Sequence, residues 1–480
     1  MIAMAFALIL FPVAMAGVAM AFPSNRARPW LLPFTGTIHL VLTVWTLRNP
    51  ELQAPVGWLV LDPPGRLILL VISLMFFLCS FYAIGYLRYR GDWSNRTFTS
   101  CLLAFLGVMT LVIWSHHLGL MWVAIEGTSL VTAPLIYFNR TPRSIEATWK
   151  YLLICSVGIA LALLGSFFLA YASFHEGLES SLLFEDLLHH APRLSKPWLH
   201  TAFVLLLVGY GTKMGLAPMH TWKPDAYGEA PGIVGALLAG GLTNCAFLAV
   251  LRIYHVMVAA GERVYGGKLL IFLGLLSMLV AGIFMIGQRD IKRMLAYSSV
   301  EHMGILVLGL GMGGIGAFGA LLHLLNNSMT KGVLFLSAGN LRRAYDSKSI
   351  DDISGAMRRL PLSGTLFLFG FIAITGSPPF GPFVSEFTIV TAAFLDGRYV
   401  TGALFLLFLL IVFMGMGGTV LAAVQGRPSG RSRLIPYRDT FLTGAPVVVF
   451  MALSLLLGLW LPAPIRTLVQ EAAHYLETRP

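Results

Sequence analysis

The sequence predicts an all-α polytopic membrane protein of about fourteen transmembrane helices, and three observations predict it. Hydrophobic residues make up 57% of the 480 positions and charged residues only 11%, which a water-soluble core cannot absorb. Apolar segments long enough to cross about 30 Å of hydrocarbon recur along the whole chain. The connecting segments divide their basic residues unevenly, as loops on opposite sides of a membrane do.

In chain order the apolar segments fall near 2–22, 31–47, 67–87, 99–115, 118–138, 147–173, 199–222 and 232–256, then 269–287, 294–312, 315–340, 361–392, 401–425 and 442–462. The first has no basic leader and no small-residue cleavage site, so it reads as a retained helix and not a signal peptide. The 49 glycines fit helices that pack closely in lipid. A net charge of +11 reflects loop arginines and lysines; no basic stripe with interleaved aromatics suggests nucleic acid. Cys79, Cys101, Cys155 and Cys245 lie singly in apolar runs and read as core residues, so no metal site is expected. No dinucleotide fingerprint or phosphate loop is present, and no cofactor is expected.

With both termini outside, the inside loops collect Arg26, Arg28, Arg88, Arg90, Arg96, Arg140, Arg143 and Lys223. They also hold the clusters Arg289 to Arg293 (with Lys292), Arg342 to Arg359 and Arg427 to Arg438, the last including Arg431 and Arg433. The outside segments carry fewer cations: Arg48, Arg66, Arg193, Lys196, Arg263, Lys268, Arg398, Arg466 and Arg479. The longest outside loop is acidic, with Glu176, Glu179, Glu185 and Asp186. The rule of positive inside loops then places both termini on the outer side. Lys150, Lys213, Arg252 and Lys331 lie within helices. Arg252 sits near a helix end and reads as a snorkelling residue.

Lys150, Leu153, Ser156 and Gly158 repeat as Lys331, Leu334, Ser337 and Gly339. These are the sixth and eleventh segments, so the unit is five helices long. An odd unit inverts the second copy, an architecture of transporters. The chain divides accordingly into three N-terminal helices (1–98), a first repeat (99–256), a second repeat (257–425) and a loop, last helix and short tail (426–480).

Ionisable residues inside the spans carry the functional signal, because they are costly in hydrocarbon. Glu126 lies about eight residues, or roughly 12 Å, into the fifth segment; the alternative is a structural carboxylate between helices. Lys213 lies deep in the seventh, five residues before Pro218, which removes a backbone donor and breaks the helix. His220 extends that polar line. Glu386 follows Gly376-Ser-Pro-Pro-Phe-Gly-Pro382, a second break at the corresponding place in the other repeat. His323 and Lys331 stand two turns apart on the eleventh segment, with Asn326 and Asn327 between them, and can pass protons between the halves through water. Glu146, Lys150, Glu301 and His302 read as shallower, with ion pairing and function equally open.

The stretch Lys213-Met-Gly-Leu-Ala-Pro-Met-His-Thr-Trp-Lys-Pro-Asp-Ala-Tyr-Gly-Glu-Ala-Pro231 closely resembles a signature of the antiporter-like proton-pumping subunits of respiratory complex I, Mrp antiporters and membrane-bound hydrogenases. Asp290-Ile-Lys-Arg-Met-Leu-Ala-Tyr-Ser-Ser and Gly376 to Glu386 resemble two more. The similarity runs from about 100 to 425. Trp114-Ser-His-His, Ser298 to Met303 and His323 to Lys331 look most like the component F branch of hydrogenase-4 and formate hydrogenlyase-type complexes.

The resemblance implies two inverted repeats and makes Glu126, Lys213 and Glu386 the key glutamate, broken-helix lysine and exit-side residue. It also implies a prokaryotic plasma membrane, other membrane subunits, and a peripheral hydrogenase or formate- or NADH-oxidising module that does the redox chemistry. One departure is Asn244, which stands where relatives often carry an eighth-helix lysine. Sodium/proton antiport, coupling to an inorganic-carbon uptake enzyme and a silent scaffold are the competing expectations. Idle ionisable groups at depth argue against the scaffold.

Overall fold

A computed structural model describes residues 2–49, 57–90, 93–178, 181–428 and 435–477. Glu179, Arg431, Arg433 and Arg479, used above in the loop charges, lie outside the described residues. The described chain is helical throughout, with only isolated bridges such as Asp290 to Ser349 between loops.

The helices run in order: α1 (Ile2–Ala21), α2 (Leu31–Arg48), α3 (Pro63–Arg88), α4 (Arg96–Trp114), α5 (Leu118–Ile136), α6 (Pro142–Phe174) and the short α7 (Phe184–His190). Next come α8 (Lys196–Met214), α9 (Trp222–Glu229), α10 (Gly232–Leu237), α11 (Thr243–Ala259), α12 (Arg263–Met285), α13 (Ile291–Met312) and α14 (Ile315–Tyr345). The chain continues through α15 (Ala356–Arg359), α16 (Pro361–Ile374), α17 (Gly381–Leu395), α18 (Tyr399–Val424), α19 (Phe441–Leu459) and α20 (Ala463–Tyr475).

Eleven spans among the described residues are long and apolar enough to cross a membrane, so the chain is a polytopic membrane protein. The remaining expected segments fall on α8, α14 and the α16–α17 pair. Helices α8 and α14 carry Lys213 and His323 to Lys331, while α16 and α17 are only 14 and 15 residues long. The seventh and twelfth segments are each split, at 215–221 and 375–380. The amphipathic α20, which packs on α3, was not foreseen.

Local sequence sets the ends. Asp62 caps α3 by accepting from the Gly65 N–H at 2.9 Å, with Pro63 and Pro64 in the first turn. Asp290 caps α13 through the Lys292 and Arg293 amides. That cap starts α13 three residues before the predicted boundary. Small residues then let spans touch: a Cβ on Gly274 of α12 would stand 2.7 Å from the Gly304 carbonyl of α13. A π-helical turn at Leu238–Leu242 joins α10 to α11. This composite helix is buried along nearly its whole length, as are α13 and α14. These three form the centre, and the polar side chains lie along it.

Three sequence expectations are corrected. Arg252 does not snorkel; it is 2% exposed and its guanidinium grips Asp62 at 2.8 and 2.9 Å. Lys223 and Lys292 are not loop residues in water but are fully buried. Glu301 and His302 are not shallow, because α13 begins earlier and places them mid-helix, at 2% and 0% exposure.

A candidate proton path

The path starts at Glu126 on α5, which is half-buried. Its carboxylate accepts from Ser156 Oγ on α6 at 2.8 Å and from Ser129 Oγ, one turn along its own helix, at 3.1 Å. Lys213 Nζ, fully buried on α8, donates to the same Ser129 Oγ at 2.5 Å and to Tyr151 OH at 3.0 Å. Glutamate and lysine therefore do not touch; a hydroxyl that donates to one and accepts from the other stands between them. Tyr151 is also bonded to Thr132 Oγ1 at 2.7 Å and its ring packs 5.1 Å from Trp222 on α9.

Beyond Trp222 comes Lys223, which was absent from the expected set. Its Nζ reaches Ser299 Oγ at 3.1 Å and the Ser299 carbonyl at 3.4 Å on α13. The neighbouring Ser298 accepts from Lys331 Nζ of α14 at 2.7 Å. One turn along α13, His302 Nδ1 lies 2.9 Å from His323 Nε2. His323 Nδ1 in turn lies 2.9 Å from Ser385 Oγ on α17, and Glu386 follows directly. The roles of donor and acceptor along these histidines depend on the tautomer.

Of the expected residues, the structure joins Glu126 and Lys213 through Ser129, and His302 and His323 directly. Lys331 and Glu386 stand beside that second group; Glu301 sits 3.8 Å from His302 Nε2. His220 packs among the rings of Phe284 and Tyr297, and no hydrogen bond links it to Lys213. Asn244 is buried and donates to Ser328 Oγ and the Gly240 carbonyl. Glu146 and Lys150 lie apart, on the rim of a cavity of about 610 Å³ lined also by Asp225, Arg289, Arg293 and Lys348. There Lys150 pairs with Glu146 at 2.5 Å and Asp225 at 3.1 Å, largely exposed. Lys150 and Lys331, matched in the sequence repeat, thus occupy unlike surroundings.

The one group of donors among the described residues that converges as metal ligands would is His302, His323 and Glu386, within 4.8 Å of one another. The two imidazoles are already hydrogen-bonded to each other. Such a chain suits proton exchange better than a tetrahedral metal site, in which each ring would give its nitrogen lone pair to the ion. Several buried atoms here have no hydrogen-bond partner among the described residues: His302 Nε2, Glu386 Oε1, Asn326 Oδ1 and both side-chain atoms of Asn327. Buried polar groups need partners, and these are placed for water to link.

The bridging hydroxyls, Tyr151 and Lys223 were missed by sequence reasoning. Ser129 is one helical turn from Glu126, a usable signal. Tyr151 sits next to Lys150, and only its inward direction separates the buried residue from the exposed one.

Residues 115–416, which include every member of this path, match the profile of the transmembrane family described as NADH:quinone oxidoreductase/Mrp antiporter. The chain belongs to that family. A hydrogenase-4 component F homologue from Methylacidiphilum infernorum (isolate V4) is 33% identical over 98% of this chain and 100% of its own length. NADH-quinone oxidoreductase subunit N of Desulforudis audaxviator is 32% identical over 81% of this chain and 74% of its own. A chain of respiratory complex I from Thermus thermophilus superposes with a TM-score of 0.78 at 25% identity, covering 95% of this chain and 97% of that one. Both split segments contribute residues to this line, Lys213 and Lys223 on α8–α9 and Ser385 and Glu386 on α17.

Proposed function

We propose that this chain is a proton-translocating membrane subunit of a complex I-like or hydrogenase-type complex, driven by redox chemistry in partner subunits. One observation carries the reading: carboxylates, lysines, histidines and hydroxyls lie in series from Glu126 to Glu386, as the group Glu126–Ser129–Lys213, the lysines Lys223 and Lys331 on adjacent serines of α13, and the chain His302–His323–Ser385 beside Glu386. Such groups are expensive to bury, and hydroxyls and imidazoles can both take and give a proton. The relatives named for hydrogenase-4 and NADH-quinone oxidoreductase support a place beside other membrane subunits. A peripheral hydrogenase or formate- or NADH-oxidising arm would supply the electrons.

In this reading the chain crosses the membrane fourteen times, with both termini on the outer side of a prokaryotic plasma membrane. Residues 99–256 and 257–425 are the two inverted half-channels; the paired breaks at Pro218 and at Pro378 to Pro382 support that division. Electron transfer in the partner changes the charge balance around Glu126 and Lys213. A proton then moves towards Lys331 and leaves by Glu386.

The test is proton uptake by the assembled complex in sealed vesicles. Lys213→Ala or Glu386→Gln is expected to abolish uptake coupled to redox turnover. Unchanged uptake in both variants would sink the proposal. A sodium requirement that persists when the proton gradient is collapsed would replace it with sodium/proton antiport.

A further inference from the structure

The line has a junction between its halves, from Lys213 on α8 to Lys331 on α14, and Lys223 occupies it. Its side chain runs through the break of the seventh span. A Cβ on Gly215, the left-handed residue that ends α8 at φ +84°, would stand 2.2 Å from Lys223 Cε and 2.5 Å from Cδ. Only a residue without a side chain leaves that passage open. On one side Trp222 holds Lys223 to the first half, with its ring against Tyr151 and its Nε1–H donating to the Thr212 carbonyl at 2.9 Å. On the other side Lys223 and Lys331 hang from adjacent residues, Ser299 and Ser298.

A buried lysine is more often a brace, and α13 supplies the contrast. Lys292, equally buried, donates to the carbonyls of Gly228 and Ala230. Those lie at the end of α9, where carbonyls lack helical partners. Lys292 is a cap. The Ser299 carbonyl, by contrast, lies in the middle of α13, inside the helical ladder, and needs no cap. Lys223 has no carboxylate within ion-pair distance among the described residues. Its ammonium therefore gains little as a fixed charge, and the Lys331 ammonium is close enough to oppose it.

We propose that Lys223 is the relay residue that carries protons across the junction between the two halves. The inference rests on the proton-translocating reading above. The Lys213 ammonium gives a proton, through water, to a neutral Lys223 amine and is left neutral. Lys223, held at Ser299, then passes it through water to a neutral Lys331, which is held at Ser298. One proton is transferred at each step and no charge is created. Repulsion between two ammoniums held on neighbouring residues of α13 favours a sequential transfer.

The test uses the assembled complex in sealed vesicles, with proton uptake normalised to the amount of complex present. Lys223→Met removes the amine; Lys223→Arg keeps a cation that does not release its proton at any physiological pH. Both are expected to assemble and to lose uptake by roughly tenfold or more. Uptake above half the parental value in either variant overturns the relay. So does failure of both to assemble, which would make Lys223 a structural brace. Lys213→Ala separates the two claims: full uptake in Lys223→Met beside a dead Lys213→Ala removes this inference alone. Full uptake in Lys213→Ala removes the relay's donor and the relay with it, and full uptake in Glu386→Gln as well removes the proposed function.

Discussion

Two regions bury cations in opposite ways. At the junction of α3, α4 and α11, Arg252 forms two bonds with the Asp62 carboxylate. It spends its other donors on the Ser115, Ile113 and Val112 carbonyls at the end of α4. Charge is balanced and every donor is used. Burial alone would raise the Asp62 carboxyl, but the Arg252 guanidinium holds it below its ordinary value. Along the central path, Lys213, Lys223 and Lys331 are as deeply buried. They rest on hydroxyls, with no carboxylate at ion-pair distance among the described residues. The first arrangement fixes a charge and ties helices together. The second, on the proposed reading, leaves a charge free to come and go. Burial alone therefore does not separate a brace from a relay; the partners do.

The largest effect should fall on the brace. Arg252→Leu leaves the Asp62 carboxylate buried without its partner, and is expected to cost about 3–5 kcal/mol. Thermal unfolding of the purified protein in detergent would register it. Adding Asp62→Asn should recover part of the loss but not all, since the α4 carbonyls still lack their donors. Full recovery would mean that those caps contribute nothing, and would weaken the contrast with the lysines.

The next effect is a pH dependence beside the same brace. His116, between α4 and α5, is pushed down to about 4 by burial and then by the Arg252 cation. Its folded value lies below the unfolded one, near 6.5. The unfolded chain therefore binds the proton first, and stability falls as pH drops from about 6.5 towards 4. Below that the loss is complete. A shift of that size corresponds to a loss of about 3 kcal/mol at most. His116→Phe should flatten the unfolding profile across this window; an unchanged slope would assign the pH dependence to other groups.

The contrast between brace and relay was only partly legible in the sequence. Apolar run length located the spans, and Pro218 and Pro378 to Pro382 located the breaks, because both act locally on the backbone. Asp62 lies 190 residues from Arg252, and nothing local announces the pair. Lys223 stands among Pro224, Asp225 and Glu229, a composition that reads as a solvated loop until folding carries it into the break. Glu301 and His302 were misjudged because Lys292 and Arg293 looked like the end of a loop, although Asp290 caps the helix before them. The hydroxyls that bridge glutamate to lysine are too common in membrane helices to stand out.

The smallest stability effect is the sharpest test of the comparison. Lys331 is fully buried, with Ser298 Oγ as its one hydrogen-bond acceptor among the described residues. If Lys331 were a brace like Arg252, Lys331→Met would cost several kcal/mol. As a relay it loses one hydrogen bond, about 1 kcal/mol, and sheds the desolvation of an unpaired amine, which offsets that loss. The thermal unfolding midpoint is therefore expected to stay near the parental value or rise. Proton uptake in the assembled complex should nevertheless collapse, because Ser298 has no amine left to serve. A large drop in stability would place Lys331 with Arg252 and end the distinction; retained uptake would remove Lys331 from the path.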